Sequence, residues 1–268
     1  MSLPFSVLMS VYSEDEPAYL SAALQSLVSQ TLPADEIVLV QDGPITPQLA
    51  SVIEAYARRL TLCIIALPEN FGLAHALNEG LRQCAHDWVA RMDSDDIALP
   101  ERFEKQIGYI LKHPDVDVLG ALVEERDEAM SSILSIRRVP LTHQEIRKFA
   151  VRRNPISHPV AIFRKSAVLS VGGYPLFPKA QDYALWSIML MRGFKFANQG
   201  QCLLWMRCGR GLMGRRGFNY FVNEAKLLAF QRRIGLLGPV DYWMNMFGRA
   251  AVRVAPSNVK TILYRCFR

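Results

Sequence analysis

Apolar runs of strand length recur along the first hundred residues, each followed by a segment whose apolar residues fall at helical spacing. FSVLMSV, from Phe5 to Val11, is the first. A run without polar alternation suits a strand covered on both faces, because both sets of side chains then meet apolar surroundings. Glu14, Asp15, Glu16 and Pro17 follow with first-turn chemistry, and Leu20, Leu24, Leu27 and Val28 continue at helical spacing. The unit then repeats. EIVLVQD reads as a strand, Pro47 to Arg59 as a helix, LTLCIIAL as a strand, Leu73 to Cys84 as a helix, and DWVARMD as a strand. This alternation predicts an α/β fold with a mostly parallel central sheet flanked by helices.

Ligands of such sheets bind outside the carboxyl ends of the strands. Polar punctuation falls at those ends: Tyr12 to Glu16, Asp42-Gly43, Glu69-Asn70, and Asp93 to Asp96. These acidic loops are expected to converge on one rim. From Leu111 the regularity weakens. VDVLGALVE and PVAIFR read as strands, and THQEIRKFAV opens with the capping-box pair Thr142 and Glu145. The shorter, mixed elements predict a half adapted to a second substrate.

With 268 residues, 50% of them apolar, the chain can bury the core of one large domain, with or without an appendage. Cys63, Cys84, Cys202, Cys208 and Cys266 are scattered, without a C-x-x-C pair or a His spacing suited to zinc. They predict reduced, mostly buried thiols in a cytoplasmic protein. The amino terminus lacks a basic region ahead of its apolar run and reads as a buried strand rather than a signal peptide. No stretch holds 18 consecutive apolar residues, so no transmembrane helix is expected.

The net charge of +6 is unevenly spread. From Arg207 onward twelve Lys or Arg face only Glu224 and Asp241, a balance of +10 that leaves −4 for the residues before it. This tail reads as two or three helices separated by Gly238-Pro239 and Pro256. Phe218, Tyr220, Phe221, Tyr242, Trp243 and Phe247 interleave with its arginines. Arginine with aromatics would suit nucleic acid, but the apolar residues recur at helical spacing between the charges. A basic amphipathic helix suits an anionic membrane surface better, and no nucleic-acid partner is expected. Packing of the same helices on the rest of the protein accounts for the pattern equally well.

Asp93, Asp95 and Asp96 crowd three carboxylates into ARMDSDDIALPER. One of them could cap a helix starting near Pro100. A cap needs one carboxylate, and the remaining like charges raise one another's pKa unless a cation intervenes. Hard divalent cations take such oxygen ligands and commonly share them with phosphates.

FSVLMSVYSEDE, VLVQDGP, ENFGLAHALNEGL, ARMDSDDIALPERFEKQ, NPISHPVAIFRKSAVLSVGGY and AQDYALW occur in this order. With them, the chain resembles the family 2 glycosyltransferases of the GT-A fold, in particular bacterial enzymes of exopolysaccharide and O-antigen biosynthesis, the amylovoran type included. The resemblance covers roughly residues 4–210 and implies a catalytic domain over 1–210, with 211–268 as a basic, amphipathic helical extension.

The resemblance implies a role for each matching position. Val11, Tyr12 and Glu14 would line the nucleotide base, and Asp42 would hydrogen-bond it, although Asp42 equally suits a turn before Gly43. Asn70 and Gly72 would let backbone approach the nucleotide, with Asn78 explained as well by packing. Asp93 would sit near the ribose and donor sugar and assist Asp95, the ligand of a Mg²⁺ or Mn²⁺ that bridges the diphosphate. Asp96 would shape the turn. His158 would be a further metal or diphosphate contact, or else a structural hydrogen-bonding group, and Arg207 would face the diphosphate.

Asp182 would be the catalytic base that removes the acceptor's proton. It also suits the first turn of a helix through Leu185, Trp186 and Met189, where the helix dipole favours an acid. Many relatives have Glu-Asp at this point, whereas this chain has Gln181-Asp182. The implied reaction is inverting transfer from a nucleotide sugar, with UDP preferred, to a saccharide or polyprenyl-diphosphate-linked saccharide acceptor. The enzyme would be cytoplasmic, at the inner face of the cell membrane.

Two other enzyme classes share parts of this pattern. A sugar-1-phosphate nucleotidylyltransferase needs a Gly-rich basic loop after the first strand, where this chain has YSEDEP. A haloacid-dehalogenase-type phosphatase carries its D-x-D after the first strand, far from the position it takes here. An inactive, membrane-peripheral nucleotide-sugar-binding partner is a third alternative, separable by mutating Asp182.

Overall fold

A computed structural model describes residues 3–209 and 218–254. The first part alternates as expected: β1 (Phe5–Val11), α1 (Pro17–Val28), β2 (Glu36–Gln41), α2 (Pro47–Ala57), β3 (Leu62–Ala66), α3 (Leu73–Gln83) and β4 (Trp88–Arg91). There follow β5 (Ile97–Ala98), α4 (Arg102–Lys112), β6 (Val118–Arg126), β7 (Ile133–Arg137), α5 (His143–Ala150), a 3-10 turn (His158–Val160), β8 (Ile162–Arg164), α6 (Lys165–Ser170), α7 (Gln181–Met191) and β9 (Phe196–Arg207). The chain continues through α8 (Phe218–Arg233) and α9 (Pro239–Val254).

Among the described residues the strands form one sheet in the order β3-β2-β1-β4-β8-β6-β9-β5, with β7 added beside β6. β3, β2, β1 and β4 are mutually parallel, with Val7 opposite both Ile37 and Ala90. β8 then runs antiparallel to both its neighbours, and β9 lies parallel to β6. The continuous apolar runs mark the parallel half because it is covered on both faces. Val7, Met9 and Val11 meet Leu20 and Leu24 of α1 in one layer, and Leu8, Val38 and Val40 meet Leu77 and Leu81 of α3 in the other. A Cβ on Gly80 would come within 2.5 Å of Leu8 and 2.6 Å of Val40, so glycine there lets α3 lie directly on the sheet.

The second half departs from the expectation in several places. PVAIFR is only partly a strand, because Pro159 has no N–H to give a ladder and falls in the 3-10 turn before β8. β5 is two residues long and pairs with the carboxyl end of β9, Ile97 opposite Trp205. Cys84 and Cys208 are buried as expected, but Cys63 is exposed because β3 is an edge strand; Cys266 lies outside the described residues. The capping box forms, with Thr142 accepting from the Glu145 amide and the Glu145 carboxylate accepting from the Thr142 amide.

The tail helices rest on the body. Leu227 of α8 packs with Tyr183 and Ala184 of α7, and Gln231 Nε2 donates to Ser187 Oγ at 2.9 Å. Asn245 of α9 donates to the Val151 carbonyl at 3.1 Å. Pro256 lies outside the described residues. No helix among those described is long and apolar enough to cross a membrane.

Candidate active site

The loops after β1, β2, β3 and β4 meet at the carboxyl ends of the parallel strands and are bonded to one another. Asp42, after β2, is buried. Its Oδ1 accepts from the Phe71 amide at 2.8 Å and its Oδ2 from the Gly72 amide at 3.0 Å. The carboxylate therefore holds the Asn70–Gly72 turn in place. That turn needs its glycines: Gly72 has φ +90, and Gly43 has φ +86 with the Asn70 amide 2.7 Å from where a Cβ would lie. Val11 is buried and its carbonyl accepts from the Asp42 amide at 2.8 Å. Glu14 and Asn70 are exposed beside these contacts.

The β1 and β4 loops are joined by Asp15, whose Oδ2 accepts from the Tyr12 amide at 3.1 Å and from Ser94 Oγ at 2.9 Å. Burial pushes its carboxyl upward, and these bonds oppose the shift. The aspartates that follow β4 have three different surroundings. Asp93 is ion-paired with Arg91, whose side chain is 1% exposed and whose Nη1 also donates to the Leu8 carbonyl at 3.3 Å. Asp95 reaches the surface, but the loop strips much of its water. This desolvation, then the charges of Asp93 and Asp15, push it up to about 6. Asp96 points inward, accepts from the Arg207 amide at 2.9 Å and is pushed well above the usual carboxylate range, first by burial and then by its acidic neighbours.

None of the three caps α4, whose N-cap is Glu101 and has no side-chain bond to the helix. The helix-cap reading of the triplet therefore fails. The loop is pinned instead by β5 on one side and by Arg207 at the end of β9. The Arg207 guanidinium donates through Nε to the Asp95 carbonyl at 3.0 Å and through Nη1 to the Glu128 carbonyl, and it lies 3.8 Å from the Tyr19 ring centroid. Arg207 thus meets the aspartate loop through backbone.

Beneath this loop are buried groups, of which Arg91 and Arg102 have no role expected from the motifs. Arg102 donates to the Arg91 carbonyl at 2.6 Å, and burial pulls its guanidinium down to about 9. Arg91 had a signal: a cation inside DWVARMD, an otherwise apolar run, must find a buried acceptor or counterion. His158 is 8% exposed, with Nε2 3.1 Å from the Tyr174 hydroxyl, and burial followed by the nearby charge of Arg91 holds it well below the usual histidine range. Asn78 donates to the Tyr174 carbonyl at 2.8 Å and accepts from its amide at 2.7 Å.

Asp182 stands in the first turn of α7, where its Oδ2 accepts from Asn154 Nδ2 at 2.6 Å. Burial raises its carboxyl, while the Tyr183 amide, Arg137 and Asn154 work in the opposite direction. The residue before the helix, Ala180, has φ +61, a left-handed conformation that brings the chain sharply into the turn. The Tyr174 hydroxyl lies within electrostatic reach of both Asp182 and Asp93. The described residues contain no group of three or more His, Cys, Asp or Glu arranged to hold a metal ion.

This sheet, with its rim of carboxylates, has the fold of the GT-A glycosyltransferases. The structure of S. aureus TarS 1–349 in complex with UDP-GlcNAc matches it with a TM-score of 0.69 over 93% of this chain and 73% of that one, at 18% identity. The mannosyltransferase PcManGT from Pyrobaculum calidifontis, in complex with GDP-Man and Mn²⁺, matches with a TM-score of 0.64 over 99% and 79% of the chains, at 19% identity.

The chain belongs to glycosyl transferase family 2, whose description matches residues 6–171. It is 42% identical to the amylovoran biosynthesis glycosyltransferase AmsE of Erwinia amylovora, over 97% of both chains. It is also 37% identical to the UDP-Gal:alpha-D-GlcNAc-diphosphoundecaprenol beta-1,3-galactosyltransferase of Escherichia coli, over 97% of this chain and 95% of that one.

Proposed function

We propose that this glycosyltransferase moves a sugar, with inversion, from a UDP-sugar to a lipid-linked saccharide during assembly of a bacterial surface polysaccharide. The observation that carries the reading is a division of labour among carboxylates. Asp93 and Asp95 lie on the loop after β4, and Asp182 stands apart on α7, where its carboxylate is held by Asn154. The 37% identical relative named for UDP-Gal and a diphosphoundecaprenol acceptor supports the choice of donor and acceptor class.

In this reading Val11, Tyr12, Glu14, Asp42, Asn70 and Gly72 form the nucleotide side, with Asp42 shaping the turn through two backbone amides. Arg207 holds the aspartate loop through the Asp95 carbonyl and would face the diphosphate. The donor set suits a hard divalent cation: Asp95 is a surface carboxylate crowded by like charge, and Asp93, though paired with Arg91, is 31% exposed beside it. A Mg²⁺ or Mn²⁺ held by Asp95 with Asp93 would stabilise the departing nucleoside diphosphate. We assign His158 to the Tyr174 hydroxyl rather than to the cation, because its Nε2 is buried against that group.

Asp182 takes the proton of the acceptor hydroxyl as that oxygen attacks the anomeric carbon. Asn154 orients the carboxylate, and burial raises its proton affinity above that of an ordinary carboxylate, which favours its taking a proton. Residues 1–210 act as the catalytic domain, and 211–268 as an extension that brings it to the inner face of the membrane. YSEDEP after β1 offers no cradle for a triphosphate, so nucleotidyl transfer is not proposed.

The test is thermal denaturation of the full chain with UDP-, GDP- and dTDP-sugars, with and without Mn²⁺, followed by transfer to a saccharide-diphosphate-lipid. A stabilising UDP-sugar and a transferred sugar are expected. Stabilisation by a nucleotide sugar with no transfer to any saccharide acceptor would mark a binding protein and overturn the reading.

A further inference from the structure

Helix α9 is turned the wrong way for a helix in water. Val240, Trp243, Met244 and Phe247 stand at i, i+3, i+4 and i+7, a single apolar stripe, and are 70%, 51%, 63% and 67% exposed. Asn245 and Arg249 face the protein instead. Asn245 donates to the Val151 carbonyl at 3.1 Å, and Arg249 donates to the Arg152 carbonyl at 3.3 Å and pairs with Glu224 at 3.5 Å. At 3.6 residues per turn Asn245 lies about 160° around the helix from Trp243 and Phe247. The aromatic rings are already gathered, Trp243 stacked on Phe247 at 5.7 Å and set edge-on to Tyr242 at 5.2 Å.

We propose that α9 is an interfacial helix whose Val240–Trp243–Met244–Phe247 stripe enters the headgroup region of an anionic phospholipid membrane. Charge complementarity selects this occupant. Arg232 and Arg233 are exposed at the end of α8, with Arg232 5.0 Å from the Tyr242 ring, and the sequence beyond residue 254 adds Lys260, Arg265 and Arg268 with no acid. Asp241 is the one acid in the α9 sequence and belongs to its first turn, where the helix dipole favours it. Apolar and aromatic residues on one side with basic residues around them are the composition of helices that lie in a membrane interface.

The attachment point gives the surface a direction. Val151 and Arg152, which hold α9, are close in sequence to Asn154, the partner of Asp182. The helix that would meet lipid is therefore fixed to the segment that serves the acceptor side. This deepens the lipid-linked acceptor reading and rests on it for its purpose, though the stripe itself does not depend on that reading.

The experiment compares the full chain with the Trp243→Ser/Phe247→Ser variant in flotation with vesicles of phosphatidylglycerol and phosphatidylethanolamine, and with vesicles of phosphatidylcholine alone. The parent chain should float with the anionic vesicles, less so at high salt, and its tryptophan emission should shift to the blue. That shift reports Trp243, because Trp88 and Trp186 are buried and Trp205 is half-buried beneath Arg126. The variant should bind roughly tenfold more weakly or worse, with the UDP-sugar thermal shift and transfer to a water-soluble acceptor unchanged.

Equal binding by the two chains, or no binding by the parent, overturns the assignment while leaving the enzymatic reading intact. So does a parent dimer in light scattering that the variant dissociates, because the stripe would then serve a second copy. A stripe shielded from acrylamide quenching without vesicles overturns it too, because residues 255–268 would then cover it. Vesicle binding without any nucleotide-sugar stabilisation sinks the enzymatic reading alone.

Discussion

The guanidinium of Arg91, 1% exposed, is the counterion of Asp93, the first carboxylate of the loop after β4. The pair ties the aspartate loop to β1 as well, because Arg91 also donates to the Leu8 carbonyl. Arg91→Met leaves Asp93 without its cation beside two more carboxylates, and should cost on the order of 2–4 kcal/mol in denaturant unfolding. Arg91→Lys keeps the charge but has no fork with which to reach both acceptors, and should fall between the two. A methionine variant as stable as the parent would remove the pair from the account of the fold.

Asp182→Asn separates catalysis from stability. Loss of the base should lower transfer by about 100-fold or more, with the donor thermal shift retained. Burial raises the folded-state pKa of Asp182 above its ordinary value of 3.8. The folded chain therefore holds this proton more tightly than the unfolded chain does, and stability falls as pH rises from the ordinary value through the raised one. Asparagine escapes that cost, so the melting temperature at neutral pH should stay level or rise. A variant that transfers sugar at the parent rate returns Asp182 to being a helix-start residue.

Asn154→Ala tests how the base is held. Asn154 donates to Oδ2 at 2.6 Å and so favours the charged carboxylate. Without it the Asp182 pKa rises further, and the acid limb of the kcat profile should move to higher pH, with kcat reduced and the donor KM little changed. An unmoved acid limb would show that Asn154 supports the fold rather than the base.

Asp42→Asn bears on the nucleotide side. The aspartate presents an oxygen to each of the Phe71 and Gly72 amides, whereas an asparagine sets an NH₂ against one of them. The turn should loosen at a cost of about 1–2 kcal/mol, and the donor KM should rise several-fold. Stability and KM both equal to the parent's would show that the two amides find other acceptors and the turn needs no aspartate.

Much of the parallel half was legible in the sequence because local pattern and tertiary role coincide there. A strand buried on both faces must be apolar throughout, and a helix lying on it must be apolar at helical spacing, so FSVLMSV and the residues after Pro17 could hardly be read otherwise. The acidic loops could be placed on one rim because parallel topology puts all carboxyl ends on the same side. Beyond β4 the pattern loses that force. β5 is too short to carry a period, and β7 lies at an edge with Ile133, Leu134 and Ile136 exposed, so no alternation marks it.

Within the site the spacing of Asp93, Asp95 and Asp96 pointed to a shared charge problem, and the ordered motifs supplied a family. What each carboxylate does with its charge is decided by the partner that the fold sets beside it. Arg91 reaches Asp93 from inside a buried strand, Arg207 reaches Asp96 from the end of β9, and Asn154 reaches Asp182 from the loop after α5.

By itself, then, the sequence determined the strand-helix alternation, the acidic rim and the family, because these depend on side-chain periodicity and on motif order. Only the tertiary structure decided that Asp42 clamps a turn, that His158 is buried against Tyr174, and that α9 presents its apolar side to solvent. Hydrogen-bond partners, desolvation and the facing of a helix depend on what lies across space, which periodicity along one chain does not encode.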